Sequence, residues 1–175
     1  MKAASAQNES PATSTNSKGT ADGSMASCPM HAQHTTAHGD HQHGAEVDAR
    51  HDTLGMNHEK ANHSFRLFSD GGAIELRANA TTDRATVDAI RTHIRQITTA
   101  FSKADFSTPA FVHGDRPSGA AQMERLKDSL QYRYEEIPGG ARVRVTVTSP
   151  EALAAIHDFL QFQVVEHRTS DSGHV

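Results

Sequence analysis

The chain has 175 residues, a formal charge of −4 and a single cysteine. This length suits one domain of ordinary size. The negative balance argues against a general affinity for nucleic acid, which needs a basic surface. One cysteine excludes an intramolecular disulfide framework, and no apolar run approaches the length of a transmembrane helix. We therefore expect a small domain with no nucleic-acid partner and no membrane span.

The first 24 residues are rich in Ser, Thr, Ala and Gly. Such a segment cannot bury enough apolar surface to offset the entropy lost on ordering. It has no apolar h-region, but Ala4-Ser5-Ala6 is typical of the small-residue end of an export cleavage site. We expect a periplasmic or secreted protein, and whether an export signal has been removed stays open. The alternative is a plain disordered terminus on a cytoplasmic protein.

A histidine-rich stretch follows and precedes any core-forming segment. Eight of the thirteen histidines lie between Cys28 and His63, accompanied by several methionines. Imidazole, thiolate and thioether are the ligands that borderline and soft transition metals prefer. We expect residues 1–62 to form a disordered metal-binding tail. Its candidate ligands are Cys28, Met30, His31, His34, His38, His41 and His43.

Copper is the metal that this tail favours. Cys28-Pro29-Met30-His31 resembles the opening of the heavy-metal-binding motif appended to copper and heavy-metal efflux proteins, although the second cysteine pair of that motif has no counterpart here. Several neutral imidazoles can wrap Cu(II), Ni(II) or Zn(II), and copper binds most tightly of these at equal availability. Zinc and nickel are the alternatives, and a solubilising linker is the reading without a metal.

The first half of the expected folded part reads as strand, strand and helix. Residues 64–69 and 73–78 alternate in polarity around Asp70-Gly71-Gly72, which predicts a β-hairpin. Apolar residues then recur at helical spacing over residues 83–103, after candidate N-caps.

The second half repeats this order. A loop over residues 102–118 and a short helix over 119–130 precede strands at 131–137 and 141–148. Ser149-Pro150 then begins a helix that reaches about His167.

The predicted fold is therefore α+β: a duplicated ββα unit whose antiparallel four-stranded sheet carries helices on one face. A hairpin alone is marginal, whereas four joined strands under helices can bury one face. We place this domain at residues 63–170, with a disordered end at 171–175. Whether the sheet is complete in one chain or across a homodimer stays open.

Five histidines fall in or next to the predicted elements: His63, His93, His113, His157 and His167. A site formed by His63, His113 and either His93 or His167 is sterically feasible. His157 and His167 lie about 15 Å apart on one helix, so they cannot share an ion. We take His63, His113 and His167 as candidate metal ligands. The alternative for each is a half-buried histidine bonded to a neighbour.

Other cofactors and catalysis receive less support. Met123 could be an axial ligand of haem, but core packing explains it better, and no C-x-x-C-H run for covalent haem occurs. Cys28 lacks a positioned base, and no phosphate loop, G-x-S-x-G or H-E-x-x-H motif is found. The sequence favours a role other than catalysis.

From about residue 63 to residue 171 the chain is similar to a group of small bacterial proteins. The resemblance is carried by His63–Leu67, Asp70–Glu75, Pro109–His113, Phe159–Gln163 and Glu166–Thr169. Members often have two adjacent histidines where this chain has His63-Ser64. Some are labelled aspartate carbamoyltransferase. That enzyme is a longer chain with a carbamoyl-phosphate loop, which has no counterpart in this sequence. The resemblance implies a shared fold and a role for His63, His113 and His167, but no activity.

Together these features predict a transition-metal-binding protein that handles copper in buffering, trafficking or resistance. One alternative is a module that binds haem or another small molecule. Another is a metalloenzyme with an open coordination position near His113.

Overall fold

The computed structural model describes the backbone of residues 36–169 and the side chains from His43 onward. Its helices are α1 (Thr36–Thr53), α2 (Arg84–Ser102), α3 (Ser107–His113), α4 (Ala120–Arg125) and α5 (Pro150–Glu166), with a one-turn 3-10 helix at Lys127–Ser129. The strands are β1 (Ala61–Phe68), β2 (Gly71–Ala78), β3 (Leu130–Ile137) and β4 (Gly140–Val147).

The four strands form one antiparallel sheet in the order β1-β2-β4-β3. Each hairpin pairs with itself, and the two hairpins join at the centre, where Ile74 lies opposite Val143. The predicted α+β class and the four-stranded antiparallel sheet are confirmed. The sheet is complete within one chain, so its strand pairing requires no second copy.

Helices α2 and α5 cover the sheet, α2 chiefly over β3 and β4 and α5 chiefly over β1 and β2. Both begin where their caps predict: Asp83 accepts a hydrogen bond from the Thr86 amide, and Ser149 accepts one from the Ala152 amide. The core between these helices and the sheet is aliphatic and aromatic. Its largest buried members include Phe65, Leu76, Ile90, Ile94, Val143, Val145, Ile156, Phe159 and Leu160.

An ion-pair layer lies on the other face of the sheet. Glu75 is only 3% exposed, and its carboxylate contacts the guanidinium groups of Arg142, Arg77 and Arg66 at 3.1, 3.2 and 3.7 Å. A buried carboxylate is tolerated only where such partners replace its lost hydration. The alternation of β2 therefore separates an apolar inner layer from a charged outer one.

Order begins earlier than the sequence predicted. Helix α1 lies within residues 1–62, for which we expected a disordered tail. Its apolar anchoring is slight: Val47 is buried, while Leu54 just beyond the helix is 38% exposed. Polar contacts add to this, because an Arg50 guanidinium nitrogen donates to the Val112 carbonyl at 3.2 Å. A helix with one apolar anchor gives no periodic signal, which explains the difference.

The middle of the chain also contains more helix than predicted. Helix α3 occupies part of the expected loop at 102–118, and Gly114 ends it in a left-handed conformation with φ 75°. The expected helix at 119–130 is present as α4 and the 3-10 turn. None of the helices in the described region combines the length and apolar character that a bilayer crossing requires.

Gly140 marks the closest approach of β4 to β2. A Cβ atom there would lie 1.9 Å from the Leu76 carbonyl oxygen, so Gly140→Ala should cost about 2–3 kcal/mol through displacement of a central strand. Gly55 is the control: its φ is +80° but nothing lies within 4 Å of an added Cβ, so Gly55→Ala should cost about 1 kcal/mol. Urea denaturation measures both. Equal costs would contradict the assigned strand contact.

Candidate metal centre

Five histidines from five different segments converge near the start of β1 and the end of α5. They line one cavity, although more than a hundred residues of sequence separate the first from the last. These residues are His51 of α1, His63 of β1, His93 of α2, His113 of α3 and His167 directly after α5.

Three of them, His51, His63 and His167, are placed to share one ion. One ring nitrogen from each lies within 4.8 Å of the other two. The ring centroids are 4.8 Å apart for His51 and His63, 5.0 Å for His51 and His167, and 4.7 Å for His63 and His167. Imidazole nitrogens bind Zn²⁺ at about 2.0–2.1 Å. A small inward movement of these rings would reach that distance around a central ion.

Local structure explains why each ring points inward. His63 shares the inner face of β1 with Phe65, two residues further along the strand. His51 lies one helical turn after Val47, on the buried side of α1. His167 caps α5, and its amide donates to the Gln163 carbonyl at 2.9 Å. The next residue, Arg168, has φ 49°, a strained conformation of the kind found at functional sites.

The ring nitrogens of His51 have no protein partner. Both are buried, and neither makes a hydrogen bond within the described part of the chain. A buried polar atom without a partner costs about 1–3 kcal/mol, and most buried polar atoms in proteins are satisfied. An imidazole with both nitrogens unpaired is therefore poorly explained by a packing role. A cation held jointly with His63 and His167 would give one of them a partner.

Burial also keeps the cluster neutral. Desolvation, with a smaller contribution from the neighbouring histidines, lowers the pKa of His51 from 6.5 to about 4 and that of His63 to about 3. The same cause lowers the pKa of His167. Neutral imidazole is the form that ligates a metal. At neutral pH the three rings are thus already in the binding state.

His113 and His93 form an outer layer around the three rings. The His113 ring lies 5.0 Å from that of His167, and its Nε2–H donates to Gln163 Oε1 at 2.8 Å. Its Nδ1 lies 3.6 Å from a Glu166 oxygen, which also accepts from His43 Nε2 at 2.5 Å. His93 is farther away, with its ring 6.4 Å from that of His51. This layer holds Gln163 and Glu166 beside the cluster and connects the cluster to the surface.

The three rings separate two cavities of opposite character. On the inner side is a cavity of about 50 Å³ with mostly apolar walls that include Ile94, Phe101 and Val112. On the outer side is a groove of about 560 Å³ with polar walls that include Asp48, His58 and Arg168. Pockets for drug-sized molecules are about 300–1,000 Å³, so the inner cavity admits only a very small molecule.

The structure brings part of the predicted site together. His63 and His167 lie in the three-histidine cluster, His113 contacts it, and His43 reaches it only through Glu166. His38 and His41 are described by their backbone alone. The remaining tail candidates, Cys28, Met30, His31 and His34, lie outside the described residues.

Two other residues weighed from the sequence have packing roles here. His157 places Nε2 3.0 Å from the carbonyl oxygens of Phe68 and Gly71, which joins α5 to the first hairpin turn. Met123 is fully buried in the core.

His51 was not among the predicted ligands. The signal that could have found it is the spacing of Val47, His51 and Leu54, which are four and three residues apart and mark one side of a helix. The polar composition around them concealed this spacing.

The fold and the cluster define a small α+β domain in which one buried and two half-buried histidines lie together. Comparison with protein-family models, curated proteins and solved structures finds no match to this chain.

The lowered pKa values predict acid sensitivity of the metal-free protein. Unfolded His51 and His63 take up protons as the pH falls through 6.5, whereas the folded forms stay neutral down to about pH 4 and 3. Stability should therefore be full above pH 6.5 and should fall below it by about 1.4 kcal/mol per pH unit for each residue. Urea denaturation between pH 8 and 4.5 tests this. His51→Leu should reduce the slope, and an unchanged slope would contradict the assignment.

Proposed function

We propose that the protein binds a transition-metal ion through His51, His63 and His167, and that the ion is copper. The observation that carries the proposal is His51, whose two buried ring nitrogens have no partner among the described residues while two more neutral imidazoles face it. If this position served only for packing, an apolar side chain would be favoured there, because an unsatisfied imidazole costs stability.

The donor set supports copper over harder cations. Imidazole suits Cu, Zn and Ni, whereas Ca²⁺ and Mg²⁺ prefer oxygen ligands. Copper is favoured at equal availability by the Irving–Williams order. The thiolate and thioether of Cys28 and Met30 extend the same preference to Cu(I) in the histidine-rich segment that precedes α1.

We further propose that the histidine-rich segment and the three-histidine cluster have different roles in metal buffering, trafficking or resistance in the cell envelope. The histidine-rich segment collects ions through its imidazole, thiolate and thioether donors. The buried cluster then holds one ion more tightly. The polar groove outside the cluster provides an entry route for a hydrated ion. Asp48 and His58 on its walls can replace water molecules bound to that ion.

Replacement of the cluster histidines should remove the tight site. In competition titrations of the full chain with Cu(I) and Cu(II), His51→Leu and His167→Leu should each weaken the tightest equivalent at least 10-fold, since ligand loss leaves two imidazoles. Metal-free His51→Leu should be at least as stable as the parent, because it removes two unsatisfied buried atoms.

His157→Gln is the matched control for these titrations. This histidine is half-buried like two of the ligands, its Nε2 bonds the backbone carbonyls of Phe68 and Gly71, and an amide can replace that donor. It should leave copper affinity unchanged. Equal copper affinity in the parent and both leucine variants would reject the buried site.

Stoichiometry separates the tail from the cluster. The parent should bind several copper equivalents, and substitution of the tail candidates should leave one tight equivalent. The combined variant carries C28S, M30L, H31A, H34A, H38A and H41A in the full chain. Elemental analysis after purification without a metal-affinity column gives the count. An unchanged number of equivalents would argue against metal collection by the tail.

A further inference from the structure

Three residues in the wall of the inner cavity are the proposed metal ligands, but the proposed function does not use the space that the cavity encloses. It extends from His51, His63 and His167 into the core, where its walls include Ile97 and Phe159. A single water needs about 10–15 Å³ and at least two polar partners. A cavity of about 50 Å³ has room for two or three heavy atoms, but few of its surfaces can bond water.

A metal bound by three histidines keeps a coordination position for an exogenous ligand. Because the three rings form a wall shared by the apolar cavity and the polar groove, an ion between them adjoins both. A hydrated or anionic ligand is favoured on the groove side. On the cavity side a ligand would exchange its hydration for mostly apolar walls, which disfavours an anion relative to a neutral ligand.

The cavity wall also holds an unused amide donor. Gln163 is 4% exposed, and its Oε1 accepts the hydrogen bond from His113. Its amide nitrogen is buried and has no hydrogen-bond partner in the described region. An amide N–H beside a metal site can donate to the outer atom of a bound diatomic molecule. The bond to His113 fixes the orientation of this amide.

We propose that the inner cavity is a binding site for a small neutral ligand of soft metals, of the size of a diatomic molecule, which coordinates the copper ion and accepts a hydrogen bond from Gln163. This inference rests on the proposed function, since it needs the ion. It adds to ion storage a capacity to sense or carry such a molecule.

Carbon monoxide is the probe. The full-length protein is loaded anaerobically with one equivalent of Cu(I), copper is quantified, and the carbonyl stretch is recorded by infrared spectroscopy. We expect one narrow band. Val112→Phe, which fills the cavity at a residue 2% exposed, should weaken CO binding at least 10-fold with copper content retained. The matched control Val165→Phe, at a site 71% exposed, should bind CO like the parent.

Two further variants keep the test decisive if Val112→Phe does not fold. Val112→Ala enlarges the cavity and should raise the affinity for methyl isocyanide several-fold relative to the parent. Gln163→Leu removes the amide donor and should shift the carbonyl stretch to higher frequency, because the hydrogen bond increases back-donation into CO. Both should bind one equivalent of copper.

The readouts distinguish failure of this inference from failure of the proposed function. Absence of a tight copper equivalent rejects the buried metal site and this inference with it. Copper bound normally without a carbonyl band overturns only the small-ligand site. A band that is identical in the parent, Val112→Phe and Gln163→Leu arises from copper outside the cavity and likewise overturns it.

Discussion

The docking of α1 is the interaction on which the three-histidine cluster depends. The helix is fixed by buried Val47, by Arg50 on the Val112 carbonyl and by His43 on Glu166. Without it, His63 and His167 would form an open pair on the domain surface. With it, a third imidazole, that of buried His51, completes the cluster. A few contacts of a polar helix thus decide the chemistry of the site.

The cluster gains its ligand character from its position against the apolar core. The His63 ring stacks on that of Phe65 at 6.0 Å, and the Phe65 ring lies 5.3 Å from that of His167. These neighbours offer no hydrogen bonds and a poor environment for charge, which holds the imidazoles neutral. The same environment leaves polar atoms unsatisfied in the metal-free protein. Stability is therefore given up at the place where binding is gained, as is common at functional sites.

Most of the sheet and the two long helices could be predicted because their signals are local. Alternation around Gly71-Gly72 and Gly139-Gly140 identifies both hairpins, and Asp83 and Ser149 mark the starts of α2 and α5. The inward direction of His63 follows from the same alternation. The apolar spacing in the last helix likewise predicts that this helix ends near His167.

Convergence could not be predicted, because it depends on contacts between distant segments. Nothing in the sequence around His51 shows that α1 packs against α3 and brings this ring to His63 and His167. The density of histidines drew attention to the tail as a whole, whereas burial selects His51 from it. The separation of a polar groove from an apolar cavity is likewise a property of the assembled elements.

The placement of the three ligands has a mechanical consequence for the chain. An ion held by His51, His63 and His167 would cross-link the first described helix, the edge strand and the last turn of the domain, and one of the closed loops would span ~100 residues. In the entropy model for covalent cross-links, closure of a loop of that length is worth about 4–5 kcal/mol. A protein whose single cysteine cannot form an internal disulfide would thereby possess a removable staple, with unfolding resistance set by metal supply.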